Sequence, residues 1–389
     1  MDLDAWLLAV PRRAQYLAVL LALLVCVAVG ILEVPRPYLD YSRRPILNRI
    51  NQNATYGTDT IADVYESKVV LNDLRDAYTK AHLDQTPLEA ATWTKAESAP
   101  YPPAVLLTMA GLYALGERTG VGFYGLILAL ACLFLVSSAV YCLMTRWYVF
   151  PLMCLNAGYI AERFVYVQDD SYLVLLTVVM AALFLARART PATHLLMAVA
   201  ICMKLSPLYY LKNVLTMKRW MAAAVVVIVI TGLALPYFFW DHYLYIYQFH
   251  AQRKGHWQNA AGALSLVVPF SLLLWYVETR LAFDMEDRVG WSLVPFALLI
   301  AIMTNAPRHL FVVLLVPDKR AARTAAGAFG LGLHSMLPSV LRSGGTVYFM
   351  TAFLSLALVW YLRRIGWETI RVDLRHPVRT ARTMLAWAP

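Results

Sequence analysis

The chain has 389 residues, 60% of them hydrophobic and 15% charged, and carries a net charge of +10; its mean hydropathy is +0.57. A soluble domain is only about half apolar, so these values exclude an ordinary soluble enzyme. The positive charge does not form a nucleic-acid-binding stripe: Arg12-Arg13, Arg146, Arg187-Ala188-Arg189, Lys218-Arg219 and Arg363-Arg364 flank apolar runs, as cytoplasmic loops of a membrane protein do, and no nucleic acid is expected as a partner.

The first apolar run, 14–34, is long for a secretory signal. Glu33-Val34-Pro35-Arg36 follows it in place of a small-residue cleavage site, so it reads as a retained helix leading outward. Residues 35–101 form a predicted external loop, partly helical. It carries Asp59, Asp63, Glu66, Asp73, Asp76 and Asp84 and closes on Tyr101-Pro102-Pro103. The segment from Tyr101 to Leu115 opens with two prolines and is short, which predicts a helix lying on the external surface.

Val121–Met144 is long enough to cross hydrocarbon and runs inward to Arg146. A helix near 147–162 returns outward, and Tyr172–Ala186 runs inward to Arg187 and Arg189. The 191–203 segment leads out to Lys204-Leu205-Ser206-Pro207, and a short one comes back to Lys218-Arg219. The 220–238 helix exits at Trp240 into a second external loop, 240–260. A helix near 261–277 goes in, 290–304 goes out to Asn305–His309, and Val347–Leu362 ends at Arg363-Arg364.

The fold class is therefore all-α integral membrane: one domain over 1–389, with roughly nine to twelve spans by the positive-inside reading. Residues 363–389 form a basic cytoplasmic tail, suited to anionic lipid. The five cysteines lie in apolar segments with no metal-ligand spacing, so neither a metal nor a disulfide framework is expected.

This topology sends five polar patches to the external face: 57–66, 162–170, 204–207, 253–259 and 304–309. Asp59 and Asp63 are four apart with Glu66 three further on, one face of a helix, and a carboxylate at the membrane edge can take a proton from a hydroxyl. Lys204 interrupts an apolar segment. Such a charge pairs, faces water or snorkels to the interface, and it can hold a phosphate. Arg253 and Lys254 precede His256-Trp257-Gln258-Asn259, donors beside an aromatic platform, although Tyr243, Tyr245 and Tyr247 also fit an interfacial belt. Arg308-His309 stands between two apolar runs, where histidine can donate to a leaving oxygen.

Taken in order, these patches resemble a family. An early Gly-x-Asp is followed by Tyr-Pro-Pro, a Gln before an apolar helix, Lys-x-x-Pro, an Asn near a helix start and a late His. That order is similar to glycosyltransferase family 87 of the GT-C superfamily, which includes polyprenol-phosphate-mannose-dependent alpha-mannosyltransferases. The likeness runs from about residue 57 to 364. It is carried by Gly57-Thr58-Asp59, Tyr101-Pro102-Pro103, Gln168, Lys204 with Pro207, Asn259 and His309. Val167 stands where the family has Gly before the glutamine. Gln258 precedes Asn259 where the family reads Asn-Gln-Ser, and His309 lacks the usual Trp and Asp neighbours.

The resemblance implies a GT-C-type bundle in a plasma membrane, bacterial by expectation, with the active site on the periplasmic side. It implies inverting transfer of a sugar, mannose first among the choices, from a polyprenyl phosphate to a glycolipid or glycan acceptor. Asp59 would be the base, with Asp63 as its rival. Gln168, Lys204, Arg253, Lys254, His256, Gln258, Asn259, Arg308 and His309 would bind substrate, and no cofactor is implied. The competing class is a transporter or flippase for a lipid-linked saccharide, which would use the same helix rims. Paired broken helices in an internal repeat would favour that class, and no such repeat is visible in the sequence.

Overall fold

The computed structural model describes residues 6–7, 9–33, 67–74, 102–155, 170–204, 206–239, 254–304 and 345–386. Among these residues the only regular secondary structure is helical. Arg12–Glu33 forms α1, Pro103–Thr119 α2 and Gly122–Thr145 α3. Val149–Cys154 is α4, Asp170–Arg187 α5 and Ala192–Met203 α6. A 3-10 helix covers Ser206–Thr216, followed by α7, Arg219–Phe239, and α8, Lys254–Arg280. Met285–Ser292 is α9, Val294–Thr304 α10 and Gly345–Ile365 α11. The chain closes on α12, Trp367–Arg375, and α13, Pro377–Ala386.

Gly125–Thr145 and Ala263–Arg280 are long and apolar enough to cross a membrane, and only 44% and 33% of their apolar windows are buried. Leu17, Leu20, Leu21 and Leu24 on α1, Leu133, Val136 and Val140 on α3, and Val227 and Ile230 on α7 are exposed. Apolar surface of this extent marks an interaction surface.

Two prolines fix the start of α2: Pro102 precedes the helix and Pro103 takes its first position, where a missing N–H costs nothing. The helix is part of the packed bundle. Val105, Leu106, Met109 and Ala110 are buried, and it packs on α3, α6 and α7. Leu107 and Leu115, on its other side, stay exposed. Gly120 (φ 72°) and Gly122 (φ 75°) make the turn into α3, a left-handed backbone that glycine adopts without penalty. A Cβ on Gly116 would lie 2.6 Å from the Gly122 carbonyl carbon. Gly116→Ala is therefore expected to cost about 1–3 kcal/mol through overpacking, readable as a lowered unfolding midpoint, whereas the exposed control Gly111→Ala, with open space for its Cβ, should gain about 0.5–1 kcal/mol.

The expected 290–304 helix is broken. Asp284 caps α9 by accepting from the Asp287 N–H at 2.9 Å, with Glu286 and Asp287 in the first turn where carboxylates suit the helix dipole. Pro295 cannot donate to a preceding carbonyl, and the helix restarts as α10 at Val294. The α9–α10 rod serves two apolar cores. Val289, Leu293 and Ala297, spaced by four, enter the larger core built from α1–α7. Trp291, Val294 and Leu298 enter the smaller one with α8 and α11.

The 3-10 helix runs eleven residues, where three or four are usual. Its period of three puts Pro207, Tyr210 and Asn213 on one buried face. Asn213 donates from Nδ2 to the Tyr210 carbonyl at 3.0 Å, and Thr216 donates to the Asn213 carbonyl at 2.9 Å. These side-chain bonds reinforce the tight winding. α6 has twelve residues, about 18 Å of helix, against about 30 Å of hydrocarbon. With the 3-10 helix it forms a short out-and-back excursion, as the sequence suggested.

Candidate functional site

Charged and aromatic contacts define one end of the bundle, here the arginine end. Trp147 Nε1 donates to the Leu7 carbonyl at 3.0 Å, bringing the N-terminus to the foot of α3. Glu286 accepts from the Tyr141 hydroxyl and lies 3.6 Å from Arg187 Nη1, joining α3, α5 and α9. Phe283 meets Tyr361 edge-on with centroids 5.4 Å apart, joining the foot of α11.

From this end α1, α7 and α10 lead away, while α5, α8 and α11 lead in. Glu33, Asp170, Phe239, Lys254 and Thr304 are therefore the helix ends directed toward the opposite pole. The sequence-predicted patches attach to the bundle through these ends. Asp59, Asp63, Gln168, Arg253, Arg308 and His309 lie outside the described residues. Lys254, His256, Gln258 and Asn259 form the opening turns of α8, whose twenty-seven residues span about 40 Å; nothing is described of their side chains. Ser67 and Val70, just after the Asp59–Glu66 patch, are buried, and Lys68 Nζ lies 5.8 Å from the Tyr113 ring centroid on α2. The chain that follows the carboxylates is thus docked on the bundle.

Lys204 is the predicted site residue whose side chain is described. It ends α6 in an extended conformation (φ −147°, ψ 142°) and is half-buried. Its Nζ lies 5.0 Å from the centroid of Tyr172, in the first turn of α5. Two residues on, the Ser206 hydroxyl is buried with no hydrogen-bond partner among the described residues. A half-buried ammonium on an aromatic face can also hold an anionic oxygen.

A second group of polar side chains, at the arginine end, was not anticipated. Lys212 on the 3-10 helix pairs with Glu278 on α8, their side chains 8% and 1% exposed. Lys212 Nζ also lies 4.0 Å from the Tyr209 ring centroid, and Tyr209 donates to the Ser271 carbonyl at 3.1 Å. The Tyr210 hydroxyl lies 2.9 Å from His194 Nδ1 and 3.3 Å from the Met285 sulfur. Arg288 Nε donates to the Phe283 carbonyl at 3.1 Å. Burial holds the Arg288 guanidinium below its ordinary pKa, against the opposing pull of Glu278, Tyr210 and Asp284. One signal in the sequence pointed here. Lys212 and Glu278 are opposite charges set in or at the end of apolar segments, and such charges pair.

A cleft of about 580 Å³ opens beside the tail, lined among others by Arg280, His376, Arg379, Thr380 and Thr383. Two carboxylates, Glu368 and Asp373, share it. No group of three His, Cys, Asp or Glu able to hold a metal occurs among the described residues. Comparison of the chain with protein-family models, curated proteins and solved structures gives no match.

Proposed function

We propose that the chain is an integral membrane glycosyltransferase of the GT-C type, similar to family 87, which moves a sugar from a polyprenyl phosphate to a glycolipid or glycan hydroxyl. The observation that carries this reading is the polarity of the bundle. The helix ends leading to the acidic patch, to Gln168, to Arg253–Asn259 and to Asn305–His309 all point away from the arginine end, as does Lys204. Arginine-rich ends mark the cytoplasmic side, so the polar patches would meet at the external face, within reach of a lipid-borne donor. The outward-facing leucines and valines of α1, α3 and α7 support a bundle solvated by lipid.

In this mechanism the Asp59 carboxylate takes the proton of the acceptor hydroxyl, and that oxygen attacks the anomeric carbon. The C–O bond to the polyprenyl phosphate breaks, and the leaving phosphate carries away the electron pair. Lys204, Arg253, Lys254, His256, Arg308 and His309 would offset the charge that builds on it. Gln168, Gln258 and Asn259 would orient sugar hydroxyls. Asp63, one turn from Asp59, is the rival base.

The test incubates purified protein with radiolabelled polyprenyl-phosphate sugars and membrane extract. A labelled glycolipid or glycan product is expected. Movement of label across a proteoliposome membrane without a new glycosidic product would replace this reading by the transporter. Lys204→Ala is expected to weaken donor binding by about 10- to 100-fold, the value of a hydrogen bond to a charged group. An unchanged KM for the donor would remove Lys204 from the site.

A further inference from the structure

The tail helices α12 and α13 expose the wrong faces for a soluble appendage. Asp373 on α12 accepts from the Tyr276 hydroxyl at 2.7 Å and pairs with Arg280. Thr380 on α13 donates to the Asp373 carbonyl at 3.1 Å. These contacts pin α12 to the end of α8, where the apolar stretch Ala263–Arg280 ends, and α13 to α12.

The opposite faces are turned outward. Trp367 and Leu374, seven apart on α12, are 70% and 71% exposed, and Val378 and Leu385, seven apart on α13, are 67% and 52% exposed. Seven residues are nearly two turns, so each pair forms one apolar ridge. Arg371 and Arg375 flank the first ridge, and Arg379 and Arg382 flank the second. None of the four makes an ion pair among the described residues. Asp373 is neutralised by Arg280, which leaves Glu368 as the one carboxylate of the two helices not held in an ion pair among the described residues.

We infer that α12 and α13 form an interfacial foot that lies on, and binds, the anionic lipid leaflet at the arginine end of the bundle. An apolar ridge bordered by arginines is the chemistry of a helix lying in the headgroup plane. The Asp373 anchor sets the foot at the level where α8 leaves the hydrocarbon. Charge complementarity selects the occupant: four arginines with no ion pair among the described residues face a surface of phosphates. The inference is independent of the transferase reading and needs only that the bundle be embedded in lipid.

The test compares amide hydrogen exchange of the full chain in phosphatidylcholine nanodiscs and in phosphatidylcholine–phosphatidylglycerol nanodiscs. Each arginine near an anionic surface contributes about fivefold in partitioning, so exchange over 367–386 is expected to slow by about tenfold or more in the anionic discs. High salt should reverse the slowing, with α3 unchanged. The Arg371→Gln, Arg375→Gln, Arg379→Gln and Arg382→Gln quadruple variant should lose the difference between lipids; the lipid comparison on the unaltered chain needs no variant and stands alone. Equal exchange in both lipids overturns the inference. So does equal protection produced by inorganic phosphate in zwitterionic discs, or protection that rises with the number of chains per disc.

Discussion

Asp59→Asn is expected to lower sugar transfer by about 10²- to 10⁴-fold, the usual worth of a positioned general base, with little change in donor binding. The amide keeps the shape and hydrogen-bonding reach of the carboxylate but cannot accept the acceptor's proton. The loss should fall on kcat, because the proton moves only in the transition state. Donor affinity is assigned to the cations, so binding of the polyprenyl phosphate should survive. The measurement pairs single-turnover transfer with donor-lipid binding on the same preparation. Asp63→Asn is the matched control, since both carboxylates share one helical face in the sequence reading. A dead Asp63→Asn beside an active Asp59→Asn would move the base by one turn. Full activity in both would remove the mechanism.

The sequence made some features legible and concealed others for physical reasons. Apolar runs such as Val121–Met144 announced α3 because a crossing helix must be apolar on all sides. Tyr101-Pro102-Pro103 announced the start of α2 because proline fits the first helical turn. The same segment was silent on packing: which neighbours α2 meets, α3, α6 and α7, is set by tertiary structure. The break at Leu293 followed from Pro295, a local signal masked by the apolar continuity from Trp291 to Met303. The long 3-10 helix had no local signature at all. Its winding depends on tertiary burial of Pro207, Tyr210 and Asn213 and on two side-chain bonds that become meaningful only once the fold exists.

The candidate site divided in the same way. Lys204 drew notice because a lone cation in apolar sequence is costly, and its seat on Tyr172 gives that cost a destination. Glu278 follows an apolar run in the same way, but the neighbouring Arg280 gave it a ready local partner. Its partner is sixty-six residues away in sequence, a separation no local pattern spans. The outward apolar faces of α12 and α13 were hidden differently. The arginines were conspicuous, but which face met the bundle depended on Asp373 finding Arg280.

The Lys212–Glu278 pair yields the largest expected effect on stability. Both side chains are nearly excluded from solvent, and one Glu278 oxygen has no hydrogen-bond partner among the described residues, so the charges depend on one another. Removing either one strands the other in an apolar surround, which costs about 3–5 kcal/mol. Lys212→Met and Glu278→Leu should each lower stability on that scale, read from reversible unfolding in mixed micelles. The double variant Lys212→Met/Glu278→Leu removes both charges and fills the space. It should return to within about 1 kcal/mol of the parent, because a buried pair is worth little against well-packed apolar replacements. The resulting coupling energy separates a pair from two independent side chains. Arg288 is the complication, since its charge acts on Glu278. If Arg288 carried most of the compensation, Lys212→Met would be nearly silent and Glu278→Leu alone severe. The pair lies at the arginine end, away from Lys204, so the double variant should keep the parent kcat/KM in sugar transfer. Single variants that each stay within about 1 kcal/mol of the parent would show that this buried pair does not hold the 3-10 helix against α8.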